Sequence, residues 1–166
     1  MFSYFYAKIK DMRIGIDISQ IVYGTGVSTY TKNICLSVLK ASSEKNDFVF
    51  FGSSLRRRSE LISFVNLCKK QNPKLEINAK ISSLPPTILE PLFNSVHFFP
   101  LETFTGNLDV FHASDWTQPK TKALKITTIH DLAVLKYPQV FPRKTLSAHK
   151  RRFKWIKKEA DLVIAV

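Results

Sequence analysis

Short apolar runs alternate with stretches of helical spacing along almost all of this chain, and that alternation constrains the fold more than any other feature. Residues 13–18, 47–52, 75–81, 109–113, 125–130 and 161–166 each read as a strand. Between them, 27–40 places Val27, Tyr30, Ile34 and Val38 on one helical face, and 56–70 turns Leu61, Val65 and Cys68 inward. Residues 143–160 form a third helical stretch. Strands that are nearly continuous apolar runs are buried on both faces, which is the habit of a parallel sheet covered by crossover helices. The expected fold is therefore α/β, a doubly wound and mainly parallel sheet with helices on both faces. Pro85, Pro86, Pro91 and Pro100 forbid one long helix over 83–106, so a short helix over 89–96 is expected there.

The chain has 166 residues, which suits one such domain, and 45% hydrophobic residues exclude wholesale disorder. We read 12–166 as the domain and 1–11 as an N-terminal extension. The aromatic cluster Phe2, Tyr4, Phe5 and Tyr6 in that extension is too short for a signal-peptide core. Its rings either pack on the domain or stand clear of it. No run approaches the roughly 20 apolar residues of a membrane span. Cys35 and Cys68 have no CxxC spacing and no histidine partner nearby, so two reduced core thiols are expected and no metal site. Reduced thiols fit a cytoplasmic setting.

Lysine and arginine number 25 against 13 acidic residues, a net charge of +12. Such an excess draws anionic partners: nucleic acid, phosphorylated ligands or an anionic membrane surface. A nucleic-acid binder needs a basic stripe with stacking aromatics or a reading motif, and only 143–160 approaches one, so nucleic acid is not expected. A glycosidase needs a matched pair of cleft carboxylates, and none is visible.

In a parallel sheet every strand ends on the same edge, where ligands of open α/β sheets bind. Three constellations fall there. Gly24, Thr25 and Gly26 lie between the first strand and the first helix, where glycine permits tight turning and the helix start offers free N–H groups to a phosphate. The spacing is neither GxGxxG nor a Walker loop, and a plain turn explains it equally well. Thr127-Thr128-Ile129-His130-Asp131 puts a histidine able to hydrogen-bond a hydroxyl or phosphate beside a carboxylate that either binds hydroxyls or caps the next turn. Phe111-His112-Ala113-Ser114-Asp115-Trp116 is a third strand end with polar tips and an aromatic.

In this order the segments 12–17, 24–30, 109–112, 128–132 and 160–166 closely resemble the N-terminal domain of family 4 glycosyltransferases, and in particular their bacterial mannosyltransferase-like members. The resemblance implies a Rossmann-like domain that is one half of a GT-B fold. It implies retaining transfer of a sugar from a nucleotide-sugar donor, a co-substrate, without a resident cofactor or metal. Gly24, Thr25 and Gly26 would lie near the donor phosphates, and His130 would approach the transferred sugar in a supporting catalytic role. His112, Ser114, Asp115 and Asp131 would serve substrate binding on the acceptor side. In that family the nucleotide pocket and the paired glutamates belong to a second domain. Activity is therefore expected only with a donor-binding domain or subunit, and the acceptor would be a sugar or a lipid-linked sugar. The alternative is a non-catalytic carbohydrate- or anion-binding protein derived from the same domain.

On the 143–160 helix, Leu146, Phe153, Ile156 and Ala160 share the expected core side. Trp155 falls opposite, among Lys144, Arg151 and Lys158. Two readings stand. Those four residues contact an anionic membrane, giving peripheral attachment to its cytoplasmic face; or the basic face is solvated and the tryptophan packs on a partner domain or on the N-terminal extension.

Overall fold

The structure, a computed structural model, describes residues 11–166. The reading of 1–11 as an extension thus falls almost wholly outside the described residues. From Met12 onward the backbone is tied down: its N–H donates to Asn46 Oδ1 at 3.1 Å and its carbonyl accepts from Asp47 N at 2.9 Å.

Six strands form one all-parallel sheet in the order β3-β2-β1-β4-β5-β6. They are β1 (Arg13–Asp17), β2 (Asp47–Ser53), β3 (Glu76–Ser82), β4 (Val110–Ala113), β5 (Leu124–Ile129) and β6 (Leu162–Ala165). The order runs outward from β1 in one direction and then from β4 in the other, so the topological switch point lies between β1 and β4. The fold is the expected Rossmann-like doubly wound α/β architecture.

Along β2, burial on both faces can be followed residue by residue. Phe48 and Phe50 enter one hydrophobic cluster with Ile16, Ile77, Leu61 and Phe64. Val49 and Phe51 enter another with Phe93, Leu101 and Phe111. All four are fully buried, as the period-2 geometry of a strand between two layers requires. The first cluster is covered by α1 (Gly26–Ala41) and α2 (Arg58–Gln71), which supply Cys35, Leu39, Leu61, Val65 and Cys68. Both thiols are buried and unpaired, and burial pushes Cys68 up to about 11. The second face is covered by α3 (Pro86–Pro91), a π-helical turn at Leu92–Val96, and the short α4 (Glu102–Thr105). The helix expected over 89–96 therefore begins earlier, because Pro85 and Pro86 suit a helix start, and it loosens into a wider turn after Pro91.

Two helical faces differ from expectation. The buried line of α1 is Ser28, Thr31, Cys35 and Leu39, with Val27, Tyr30, Ile34 and Val38 only half buried beside it. Polar residues can turn inward because their hydroxyls are satisfied: Ser28 donates to the Gln20 carbonyl at 2.6 Å and Thr31 to Val27 at 2.8 Å. On α6 (Arg143–Glu159) the buried line is Ala148, Arg152 and Ile156, while Leu146, Phe153 and Ala160 are half buried. Arg152 is buried because its guanidinium donates to the Thr128 carbonyl at 2.7 Å and pairs with Asp115 at 3.2 Å. The remaining helix, α5 (Ala133–Lys136), is a single turn after β5.

Gly15 marks the tightest packing in the sheet. A Cβ there would stand 2.5 Å from Leu108 Cδ1 and 3.0 Å from Phe111 Cδ2. Gly15→Val should destabilise the domain by about 1–3 kcal/mol, the usual cost of overpacking a core. Urea unfolding of the variant measures this, and an unchanged midpoint would show that Leu108 yields freely.

Candidate functional site

The carboxyl edge at the switch point gathers the polar side chains that the two apolar faces exclude. β1 ends in Asp17, which is buried. Its carboxylate accepts from Ser19 N at 2.9 Å and from the Thr117 hydroxyl at 3.3 Å. Burial pushes its pKa up, against the lowering effect of those hydrogen bonds. Ser19 opens a 3₁₀ turn, Ser19–Val22, and its hydroxyl accepts from Ser53 N at the end of β2 at 3.0 Å.

The loop after β4 is built around Ser114. Its hydroxyl accepts from Trp116 N at 3.3 Å and Thr117 N at 3.2 Å, so it shapes the loop as well as facing the edge. Asp115 pairs with Arg152, and although burial raises its pKa the guanidinium opposes that rise. Asn94 braces the loop from outside, with its amide donating to the Trp116 carbonyl at 2.8 Å and its carbonyl oxygen accepting from Gln118 N at 2.9 Å.

Between these elements, α3 and the start of α6 lies a cleft of about 480 Å³. Ser19, Ser53, Ser114 and Thr117 line it with their hydroxyls already bonded inside the protein, and Tyr23, Trp116, Leu89 and Pro91 supply apolar wall. At the mouth Glu90 and Arg151 form a bidentate pair, with contacts of 2.8, 3.0 and 3.1 Å. Lys144 stands beside them, exposed. A largely apolar, aromatic wall beside a charged mouth suits a ligand with an apolar face and polar or negatively charged substituents.

A second arrangement joins three elements at the same edge. His112 Nε2 lies 2.9 Å from Thr128 Oγ1, and the Tyr30 hydroxyl lies 3.0 Å from the same oxygen. Thr128 has one proton and two lone pairs, so it donates to at most one of these neighbours. The Tyr30 ring in turn meets His130 edge-on at 4.8 Å. Burial pushes His112 down to about 4, with the charge of His130 adding to the shift. His112 is therefore neutral at physiological pH, while His130 is half buried beside Tyr30 of α1.

The helix start nearby is well made. Gly24 adopts φ 69°, a backbone conformation that favours glycine. Thr25 caps α1, with its hydroxyl accepting from Ser28 N at 3.3 Å and its own N–H donating to Ser28 Oγ at 3.1 Å. A Cβ on Gly24 or Gly26 would meet nothing, so the loop surface is open.

The sequence-predicted residues thus separate into groups. Ser114, Lys144 and Arg151 line the cleft, although the two cations were expected at a membrane. His112 and His130 converge through Thr128 and Tyr30. Asp131 caps α5 by accepting from Ala133 N at 2.9 Å, the structural one of its two expected roles. Asp115 serves Arg152. Trp155 lies half buried against His97, and its indole N–H donates to the Asn94 carbonyl at 2.7 Å. Asp17, Tyr30, Thr117, Thr128 and Glu90 were not singled out as site residues. Asp17 and Thr128 were legible as polar ends of apolar strands; Glu90 lay in the proline-rich stretch where pattern is weakest. No cluster of three His, Cys, Asp or Glu side chains able to hold a metal occurs among the described residues.

The low pKa of His112 links the site to acid stability. The unfolded chain binds a proton near the ordinary value of 6.5 and the folded chain only near 4. The folded state therefore loses stability as pH falls from 6.5 to 4, by up to about 3 kcal/mol, and gains nothing further above 6.5. His112→Gln, which keeps a partner for Thr128, should flatten that acid slope in denaturant titrations at stepped pH. An unaltered slope would place the acid sensitivity elsewhere.

Comparison of the chain with protein-family models, with curated proteins and with solved structures gives no match.

Proposed function

We propose that this chain is the acceptor-side domain of a retaining glycosyltransferase of GT-B type, acting on a nucleotide-sugar donor bound by a second domain or subunit. One observation carries the reading. The open Gly24–Gly26 loop, the His112–Thr128–Tyr30–His130 group and the aromatic-walled cleft all lie on the carboxyl edge beside the β1/β4 switch point. That is where an α/β sheet presents a ligand to whatever closes over it.

Each part then has a task. The cleft holds the acceptor sugar against Trp116, with Glu90, Arg151 and Lys144 placed to meet its hydroxyls. Free N–H groups at the capped start of α1 face the donor phosphates. His130, supported edge-on by Tyr30, donates a hydrogen bond to the transferred sugar. The departing diphosphate needs opposing positive charge, which the partner domain supplies. Rate comes from aligning donor and acceptor and from fixed dipoles, so one wall of the cleft is insufficient. A binding role without chemistry is the second reading, favoured by a cleft that is complete within this one domain.

The isolated chain should neither bind nucleotide-sugars tightly in calorimetry nor hydrolyse them. Joined to a matching donor-binding domain, in cis or as a partner, it should transfer sugar, and His130→Ala should lower kcat by about 100-fold with the fold intact. Turnover by the isolated chain would overturn the two-domain mechanism. Acceptor binding without transfer in any pairing would favour the binding role.

A further inference from the structure

Three apolar side chains stand in water at a place the fold holds fixed. Val96, Phe98 and Phe99 are 59%, 73% and 44% exposed, and the two phenyl rings meet edge to face at 6.0 Å. Between them His97 turns inward and is buried. Its ring nitrogens lie 2.6 Å from the Phe93 carbonyl and 2.8 Å from Glu159 Oε1. The ring stacks on Trp155 at 3.4 Å and 6°. His97 has φ 49°, a region that non-glycine residues keep only where the surroundings over-determine it. Here they do, through two polar contacts and a stacked indole. With His97 fastened inward, its neighbours are displayed outward by an anchored loop.

The lysines of the neighbouring helix make no ion pair among the described residues. Lys154 and Lys158 place their ammonium groups 4.8 and 5.5 Å from the Trp155 ring centroid. Lys150 and Lys157 are exposed on the same helix. None of these four belongs to an ion pair among the described residues. Protruding aromatics next to a helix that carries unpaired lysines match the headgroup region of an anionic bilayer, apolar below and negatively charged above. A protein partner fits less well, because lysine is depleted at protein interfaces.

We propose that the loop of residues 96–99 and the lysine face of α6 dock this chain onto an anionic lipid bilayer. Phe98 and Phe99 enter the interface, the lysines meet the headgroups, and Trp155 is the strut behind the loop. The membrane contact drawn from sequence around Trp155, Lys144, Arg151 and Lys158 is thereby moved. Arg151 is committed to Glu90 and Trp155 to His97, while the penetrating side chains come from a loop distant in sequence. No helix among the described residues is long and apolar enough to cross a membrane, so this attachment is peripheral. It stands apart from the sugar-transfer reading, since vesicle binding requires no donor.

The test is sedimentation of the whole chain with phosphatidylcholine vesicles, with and without phosphatidylglycerol, over a range of salt. Binding should require the anionic lipid and weaken as salt rises. Phe98→Ser with Phe99→Ser should lower vesicle affinity about tenfold or more. Lys154→Gln and Lys158→Gln should each lower it about fivefold. Because Phe98 is so exposed, the single Phe98→Ser variant serves if the double variant loses its cooperative unfolding. Equal sedimentation with neutral and anionic vesicles would overturn the proposal, as would unchanged affinity in the phenylalanine variants. Self-association abolished by those variants, without vesicle binding, would instead make the face a contact between copies.

Discussion

Phe48 and Phe50 fill one side of β2 while Val49 and Phe51 fill the other, and none of the four is exposed. A sheet sealed on both faces cannot hold unpaired polar groups along its strands without a heavy desolvation cost. Polar chemistry is therefore displaced to strand ends, and parallel strands put those ends on one edge. Asp17, Ser53, Ser114 and His130 come together for that reason, although they are far apart in sequence. The cleft is a consequence of the sealed sheet and the strand order, since the layers part where the connections leave β1 and β4 in opposite directions.

The β5 half of the sheet works differently. Lys125 is buried, and its ammonium donates to Glu159 at 2.7 Å; burial pulls its pKa down, against the upward effect of that carboxylate. Thr127 accepts from the buried Gln118 amide at 2.8 Å. Arg152 bonds the Thr128 carbonyl. α6 is thus held by directed polar contacts more than by an apolar stripe. Removing one partner would leave the other charge buried and alone, which costs far more than the pair contributes. Such contacts fix the rotation of α6 closely. Of its cations, Arg152 turns in, Arg151 braces Glu90, and the lysines are left facing solvent.

Strand existence and order of elements were legible because apolar runs of that length, separated by helical spacing, have few alternatives. Helix rotation was less so. In α1 the pattern of Val27, Tyr30, Ile34 and Val38 pointed one residue away from the buried line, since Ser28 and Thr31 hide their polarity in local hydrogen bonds. In α6 an arginine occupied a core position that only its partners on β5 and the β4 loop explain. The candidate site followed the same division. Strand-end residues such as His112 and His130 could be named from sequence, but the bridge through Thr128 and Tyr30 required knowing which face of α1 meets β5. His97 gave no local signal, because all its partners arise from the return of α6.

α6 links the two functional surfaces proposed for this chain. Its first turns carry Lys144 and Thr145 into the cleft, and its last turns carry Trp155 and Glu159 to the anchored loop. At about 1.5 Å per residue, the distance from Lys144 to Trp155 is roughly 16 Å along a rigid rod. In the proposed docking, a headgroup-level contact at one end would set the height of the cleft at the other. An acceptor attached to a lipid would meet a cleft already oriented toward it, and the ordering cost would be met by docking before the sugar is engaged. The buried contacts of α6 would matter for that proposal, since a helix free to roll would uncouple where the domain sits from what its cleft can reach.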